Sequence, residues 1–131
     1  MPYSQKWIEA NPELLVQRSR ARVMRYRKTD KGKFHNLREV AKRRGIESTL
    51  TFDEFLKLLE GDSCFWCGGD LPTTRAGLDR VDNSVGYTFD NCVRCCWTCN
   101  VMKAQMSASD FIAKCESVVE TAKKRGSRGP T

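Results

Sequence analysis

The chain has 131 residues, 40% of them apolar, a formal net charge of +7 and an isoelectric point near 9.2. That length fits one domain, or a small core with an extension. It holds no apolar run of membrane length, and its start, MPYSQKWIEANPELL, is polar and broken by Pro12, so neither a membrane span nor a signal peptide is expected.

The basic charge is uneven. Residues 1–60 carry 14 basic and 8 acidic side chains, and between Arg18 and Arg44 there are 12 basic side chains against Asp30 and Glu39. Such a surface suits the phosphates of a nucleic acid. Asn11-Pro12-Glu13 predicts a helix start, with no breaker until about Lys28. Leu14, Leu15, Val23 and Met24 are its expected inner side. Asp30 to Lys33 reads as a loop, and His35 to Arg44 as a second helix burying Leu37, Val40 and Ala41 and ending at a left-handed Gly45. Thr51 with Glu54 forms the pattern of a capping box for a third helix that buries Phe55, Leu56 and Leu59.

From Cys64 to Asn91 the chain changes to glycine, proline and Asp/Asn turns between short segments, the pattern of a small hairpin. Leu78–Val81 and Tyr87–Phe89 are its expected strands, with Asp82-Asn83-Ser84 and Gly86 supplying turns. Thr98 to Lys103 should be helical. A last helix should follow Ser107, with Asp110 at its third position, and end near Lys123. Cys115 is expected as a buried thiol, Tyr87 as core, and residues 126–131 as a flexible tail. The expected division is a basic helical region over 1–60 and a metal-stapled domain over 61–125.

Two Cys-x-x-Cys turns, Cys64/Cys67 and Cys96/Cys99, are separated by the 28 residues Gly68 to Cys95. Paired turns of this kind bring four thiolates to one tetrahedral zinc, and Gly68 and Gly69 help the first turn close. Cys92/Cys95 has the same internal spacing, so spacing alone does not choose the second pair. Seven cysteines, an odd number with six of them in or beside tight Cys-x-x-Cys spacing, favour zinc in a reducing, intracellular compartment over a disulfide framework. Four thiolates leave no open position, which makes that zinc structural.

The combination of CFWCGG at Cys64–Gly69, GLDRVDNSVGYTFDN at Gly77–Asn91 and CWTCNVMK at Cys96–Lys103 resembles the HNH, or ββα-metal, nucleases, and in particular their small phage or mobile-element members. The resemblance spans Cys64 to Phe111. It implies an α+β fold: a small ββα-metal domain stapled by a four-cysteine zinc, preceded by basic helices and followed by a C-terminal helix. It selects Cys64, Cys67, Cys96 and Cys99 as zinc ligands. It further implies that Asp79 and Asn100 hold a catalytic Mg2+ or Mn2+, and that Asn91 braces the loop and strand.

The family places a histidine base after the metal-binding Asp; here that residue is Arg80. A guanidinium has no free lone pair at any practical pH, but it can bind the scissile phosphate or stabilise charge in the transition state. The metal would then have to activate water without a protein base. Asp82 is a supporting candidate, as an outer metal partner or proton acceptor, or else an Asx-turn residue. Lys103 either faces the phosphate or is a solvated lysine. His35, the single histidine, caps or lines its helix. Trp66 and Trp97 are expected to cover the zinc.

Two functions follow. One is a metal-dependent DNA endonuclease or nickase, acting on DNA that includes branched or nicked forms, with RNA left open. Its flanking backbone would be held by Arg18, Arg22, Arg25, Arg27, Lys28, Lys31, Lys33, Lys42, Arg43 and Arg44. If phage-encoded, it would act in the host cytoplasm. The other is a non-catalytic, zinc-stabilised DNA- or RNA-binding protein.

Overall fold

The computed structural model describes residues 3–126, and these divide into two compact units, one ending at Gly45 and one beginning at Ile46. Among the described residues no helix is long and apolar enough to cross a membrane.

The first unit is helical: α1 (Gln5–Ala10), α2 (Pro12–Lys28) and α3 (Asp30–Arg43). The segment expected to be only a polar start forms α1, because the Ser4 hydroxyl accepts from the Trp7 N–H and the Tyr3 ring stacks on Trp7. Pro12 opens α2 as expected, but α2 buries no residue. Leu14, Val23 and Met24 are exposed, which corrects their expected place on an inner side.

The loop expected over 30–33 is helical instead. Thr29 alone turns the chain, accepting from the Gly32 N–H and donating to the Tyr26 carbonyl, and so caps α3. Gly32 is a contact glycine rather than a breaker: a Cβ there would lie 1.8 Å from the Tyr26 oxygen. In α3, Ala41 is buried and Leu37 and Val40 are half-buried, and Gly45 follows its end at φ +68°.

The second unit contains α4 (Phe52–Leu59), an antiparallel pair β1 (Gly77–Arg80) and β2 (Cys92–Cys95), α5 (Trp97–Lys103) and α6 (Ala108–Arg125). The capping box of α4 is complete, with Thr51 accepting from the Glu54 N–H and Glu54 accepting from the Thr51 N–H. Phe55 and Leu59 are buried, whereas Leu56 is half-buried. Grouped with the basic helices in the sequence reading, α4 instead packs on β1 and β2.

β1 forms where expected, but its partner is β2 rather than Tyr87–Phe89. The register pairs Gly77 with Cys95, Leu78 with Arg94, Asp79 with Val93 and Arg80 with Cys92. Phe89–Asn91 is a 3-10 turn capped by Thr88, while Tyr87 pairs with Ser48 across a parallel bridge. Gly86 allows that bridge, since a Cβ would lie 2.2 Å from the Glu47 carbonyl oxygen. Cys92 and Cys95 are therefore strand residues filling the core as small apolar side chains.

Ser107 caps α6, accepting from the Asp110 N–H. Within α6 only Phe111 is buried; Ile112, Val118 and Val119 are exposed and Cys115 is half-buried, against the expectation of a buried thiol. Phe111, Ile112, Cys115 and Val119 border an open apolar groove of about 900 Å³ that runs beside Trp66, Cys67 and Cys99. Of the tail expected over 126–131, Gly126 ends α6 and 127–131 lie outside the described residues.

Candidate metal centre and nuclease-like site

The cysteine cluster is built by two turns. In the first, the Gly68 N–H donates to the Cys64 carbonyl, the Cys64 N–H to the Gly69 carbonyl, and the Gly69 N–H to Cys67 Sγ. In the second, Cys96 is the N-cap of α5, its Sγ accepting from the Cys99 N–H at 3.4 Å, and the Cys96 N–H donates to Cys64 Sγ at 3.4 Å. The sulfurs of Cys64, Cys67, Cys96 and Cys99 all lie within 4.8 Å of one another. Thiolate bonds of about 2.3 Å would put tetrahedral sulfurs roughly 3.8 Å apart, so a small inward movement suffices to close on an ion.

The choice that spacing left open is thereby made: Cys92 and Cys95 are not in the cluster. Burial raises the Cys92 thiol to about 11 and pushes Cys95 up as well, which keeps both protonated. Cys64 moves the other way. Burial alone would raise it, but backbone N–H groups of Cys67, Cys96 and Trp66 outweigh that and hold the thiol at about 6. One ligand is thus a thiolate at neutral pH before any ion binds.

Beside the cluster, β1 presents Asp79 and Arg80 to opposite sides of the strand, and both are buried, at 4% and 8% exposure. The carboxylate Oδ2 of Asp79 accepts from the Trp66 indole N–H at 2.9 Å and lies 3.3 Å from Lys103 Nζ. Lys103, on α5 one turn beyond Asn100, is completely buried, and its Nζ also donates to the Arg80 carbonyl at 2.9 Å. It is neither the solvated lysine nor the phosphate-facing one expected from sequence. Asn100 itself is exposed. Trp66 does not simply cover the cluster; its ring packs edge-on against Phe111, and its N–H fixes Asp79. Trp97 is 75% exposed, against the expectation that it covers the cluster.

Arg80 turns inward to the loop after β1. Its Nη1 donates to the carbonyls of Asn83 and Val85, and its guanidinium sits over the Tyr87 ring. Asn91 braces the same loop: its amide donates to the carbonyls of Asp82, Val85 and Gly86, and its side-chain oxygen accepts from the Asp82 N–H. Asp82 forms an Asx-turn, its Oδ1 accepting from the hydroxyl and the N–H of Ser84, and these bonds lower its pKa below the ordinary carboxylate value. A carboxylate so held is a weak proton acceptor.

Two groups, the buried Arg94 and the half-buried Trp66, escaped the sequence reading. Arg94, on β2, donates through Nε to the Ser63 carbonyl and through Nη1 to the Leu59 carbonyl, tying the strand to the end of α4. The only signal for it was a charged residue inside Cys92-Val93-Arg94-Cys95, which the cysteine spacing disguised. Trp66 as the partner of Asp79 had no signal, since the two are 13 residues apart. In the first unit Arg18, Arg22, Arg25, Arg27, Lys28, Lys31, Lys42, Arg43 and Arg44 are exposed and Lys33 is half-buried. Arg18 is engaged, donating to the Tyr3 hydroxyl and lying over the Tyr3 and Trp7 rings. His35 is exposed within α3 and caps nothing.

A hairpin, a following helix and a four-cysteine cluster define an HNH-like, or His-Me finger-like, fold with a cluster able to bind a metal. In keeping with that class, the structure is similar to the rare-cutting HNH restriction endonuclease PacI, with a TM-score of 0.57 and 25% identity, over 75% of this chain and 82% of that one. No family model matches. An uncharacterized protein of Acanthamoeba polyphaga mimivirus is 38% identical over 96 residues, 73% of this chain. The chain spans only 18% of that protein's length.

Proposed function

We propose that the protein is a metal-dependent DNA endonuclease or nickase that hydrolyses phosphodiester bonds, with Asp79 and Asn100 holding a divalent cation, Mg2+ or Mn2+. The observation that carries this reading is the tie between β1 and α5: Lys103 joins the buried Asp79 carboxylate to the helix that presents Asn100 one turn earlier. A pure zinc scaffold has no need of a buried carboxylate there. Similarity to an HNH restriction endonuclease supports DNA as the substrate.

When bound, the cation supplies Lewis-acid polarisation of the phosphate and activation of water. The chain's own residues do the rest. Trp66 and Lys103 both hold Oδ2 of Asp79, which fixes the carboxylate's orientation. Asn91 and Arg80 set the loop that follows β1. With Nη1 engaged on the loop, Nε and Nη2 are the donors through which Arg80 would reach a phosphate oxygen. Neither Arg80 nor the hydrogen-bonded Asp82 is suited to take the proton, so turnover is expected to be slow. The four-cysteine cluster holds a structural Zn2+, and the exposed basic residues of α2 and α3 hold the DNA backbone. The thiol content fits a reducing intracellular setting, and a phage or other mobile-element origin would place the enzyme in the host cytoplasm.

One observation favours a second reading, a non-catalytic nucleic-acid-binding protein: the residue at the position of the base is used to hold the loop. Plasmid cleavage separates the two. Wild-type protein with Mg2+ or Mn2+ is expected to nick or linearise the plasmid, and Asp79→Ala to lose that activity. Equal cleavage by both proteins, or none across metals and substrates, rejects the nuclease.

A further inference from the structure

An ammonium removed from water is costly unless it is paired and hydrogen-bonded. Lys103, at 0% exposure, meets that demand with three partners: the Arg80 carbonyl, Asp79 Oδ2 and the face of Trp66, whose centroid is 5.8 Å from Nζ. One of those partners is the carboxylate that the proposed function gives to the divalent cation. The charges then cancel: Asp79 contributes one negative charge, Lys103 one positive, and Asn100 none.

We infer that Lys103 neutralises the metal site built on Asp79 and Asn100, so that a divalent cation is held there only together with a phosphate of the nucleic acid. The inference rests on the reading of Asp79 and Asn100 given above. A cation approaching Asp79 meets a fixed positive charge beside Oδ2, in surroundings that exclude water and so screen poorly. A phosphate oxyanion supplies the missing negative charge, and Mg2+ in particular is commonly held by one or two carboxylates together with substrate phosphates. Cation and DNA should therefore raise each other's affinity by the same factor. Lys103 is a positioning residue here, because it acts through Asp79 and touches neither water nor substrate.

The test is a titration of the zinc-loaded, full-length protein with Mn2+, followed by electron paramagnetic resonance of free Mn2+, with and without a short DNA duplex and corrected for Mn2+ bound by DNA alone. Wild type is expected to bind Mn2+ at least about tenfold more tightly with the duplex than without it. Lys103→Met is expected to bind Mn2+ about tenfold or more tightly than wild type in the absence of DNA, and Lys103→Met with Asp79→Asn to lose that gain. Lys103→Gln retains an N–H for the Arg80 carbonyl while removing the charge, and serves if Lys103→Met does not fold by circular dichroism. Asp79-dependent Mn2+ binding that is equally tight with and without DNA overturns the inference, and so does a folded Lys103 variant with no gain. Absence of any Asp79-dependent Mn2+ binding, even with DNA, rejects the metal site itself and with it the proposed function.

Discussion

In the unit ending at Gly45, α2 buries nothing and α3 buries only Gly32 and Ala41, while the unit from Ile46 buries Asp79, Arg80, Asn91, Arg94 and Lys103 alongside its apolar core. The first carries most of its charge outward, on exposed side chains. The second turns charge and amide groups inward, where each must find a fixed partner. The difference separates two ways of using polar residues: a charged surface acts by its sum, whereas a buried polar network acts by its geometry. Substitutions should therefore be nearly silent for folding in one unit and severe in the other.

The largest effect is expected from Cys64→Ser. With the cluster deprived of a ligand, the second unit should lose a stabilisation on the order of 10 kcal/mol and unfold, while the helical signal of the first unit persists. Metal content and circular dichroism would measure this, and Cys92→Ala should leave one zinc per chain. A pH titration sharpens the same point. The Cys64 thiol is lowered from its ordinary value of 9.0 to about 6 in the fold. The Cys64 thiolate's own contribution to the folded unit is therefore full above pH 9 and is lost as pH falls through about 6.

Asn91→Ala removes three donated bonds and one accepted bond from the loop at 82–86 and should cost about 2–4 kcal/mol, read by chemical denaturation. A smaller loss, about 1–3 kcal/mol, is expected from Gly86→Ala, whose Cβ would press on the Glu47 carbonyl. At the bottom of the scale, Arg22, Arg25 and Arg27 changed together to Gln should shift stability by no more than about 0.5 kcal/mol each. The same triple change should lower the slope of log affinity against log salt by about one for each phosphate that is no longer neutralised. A triple variant that unfolds, or an Asn91→Ala protein as stable as wild type, would erase the contrast between the units.

The helix boundaries that were legible in the sequence depend on local chemistry. The Thr51/Glu54 box and Ser107 each place a helix start through bonds within one turn, and Pro12 does so through its fixed φ, without a capping bond. β1 was legible for a similar reason, as an apolar-polar run closed by turn residues. β2 was not, because Cys92 and Cys95 repeat the Cys-x-x-Cys spacing, which left them open as a ligand pair and drew notice away from their place as strand core beside the four clustered sulfurs. The inner side expected for α2 failed because periodicity marks an apolar face without showing that anything covers it.

Of the candidate site, the positions of Asp79, Asn91 and Asn100 came from the resemblance of their motifs, and the structure gives Asp79 and Asn91 bonding partners that no motif contains. The Trp66–Asp79 and Lys103–Asp79 contacts span 13 and 24 residues of chain and are products of the fold.

The central claim is that Asp79 and Asn100 form a divalent-cation site separate from the four cysteines. A crystal of the zinc-loaded protein with DNA and Mn2+, measured for anomalous scattering at the manganese and zinc edges, tests it most directly. The expected result is a zinc peak among Cys64, Cys67, Cys96 and Cys99 and a manganese peak between Asp79, Asn100 and a phosphate oxygen, with Lys103 still on Asp79. A zinc peak alone, with DNA in place and no manganese at Asp79, would contradict it.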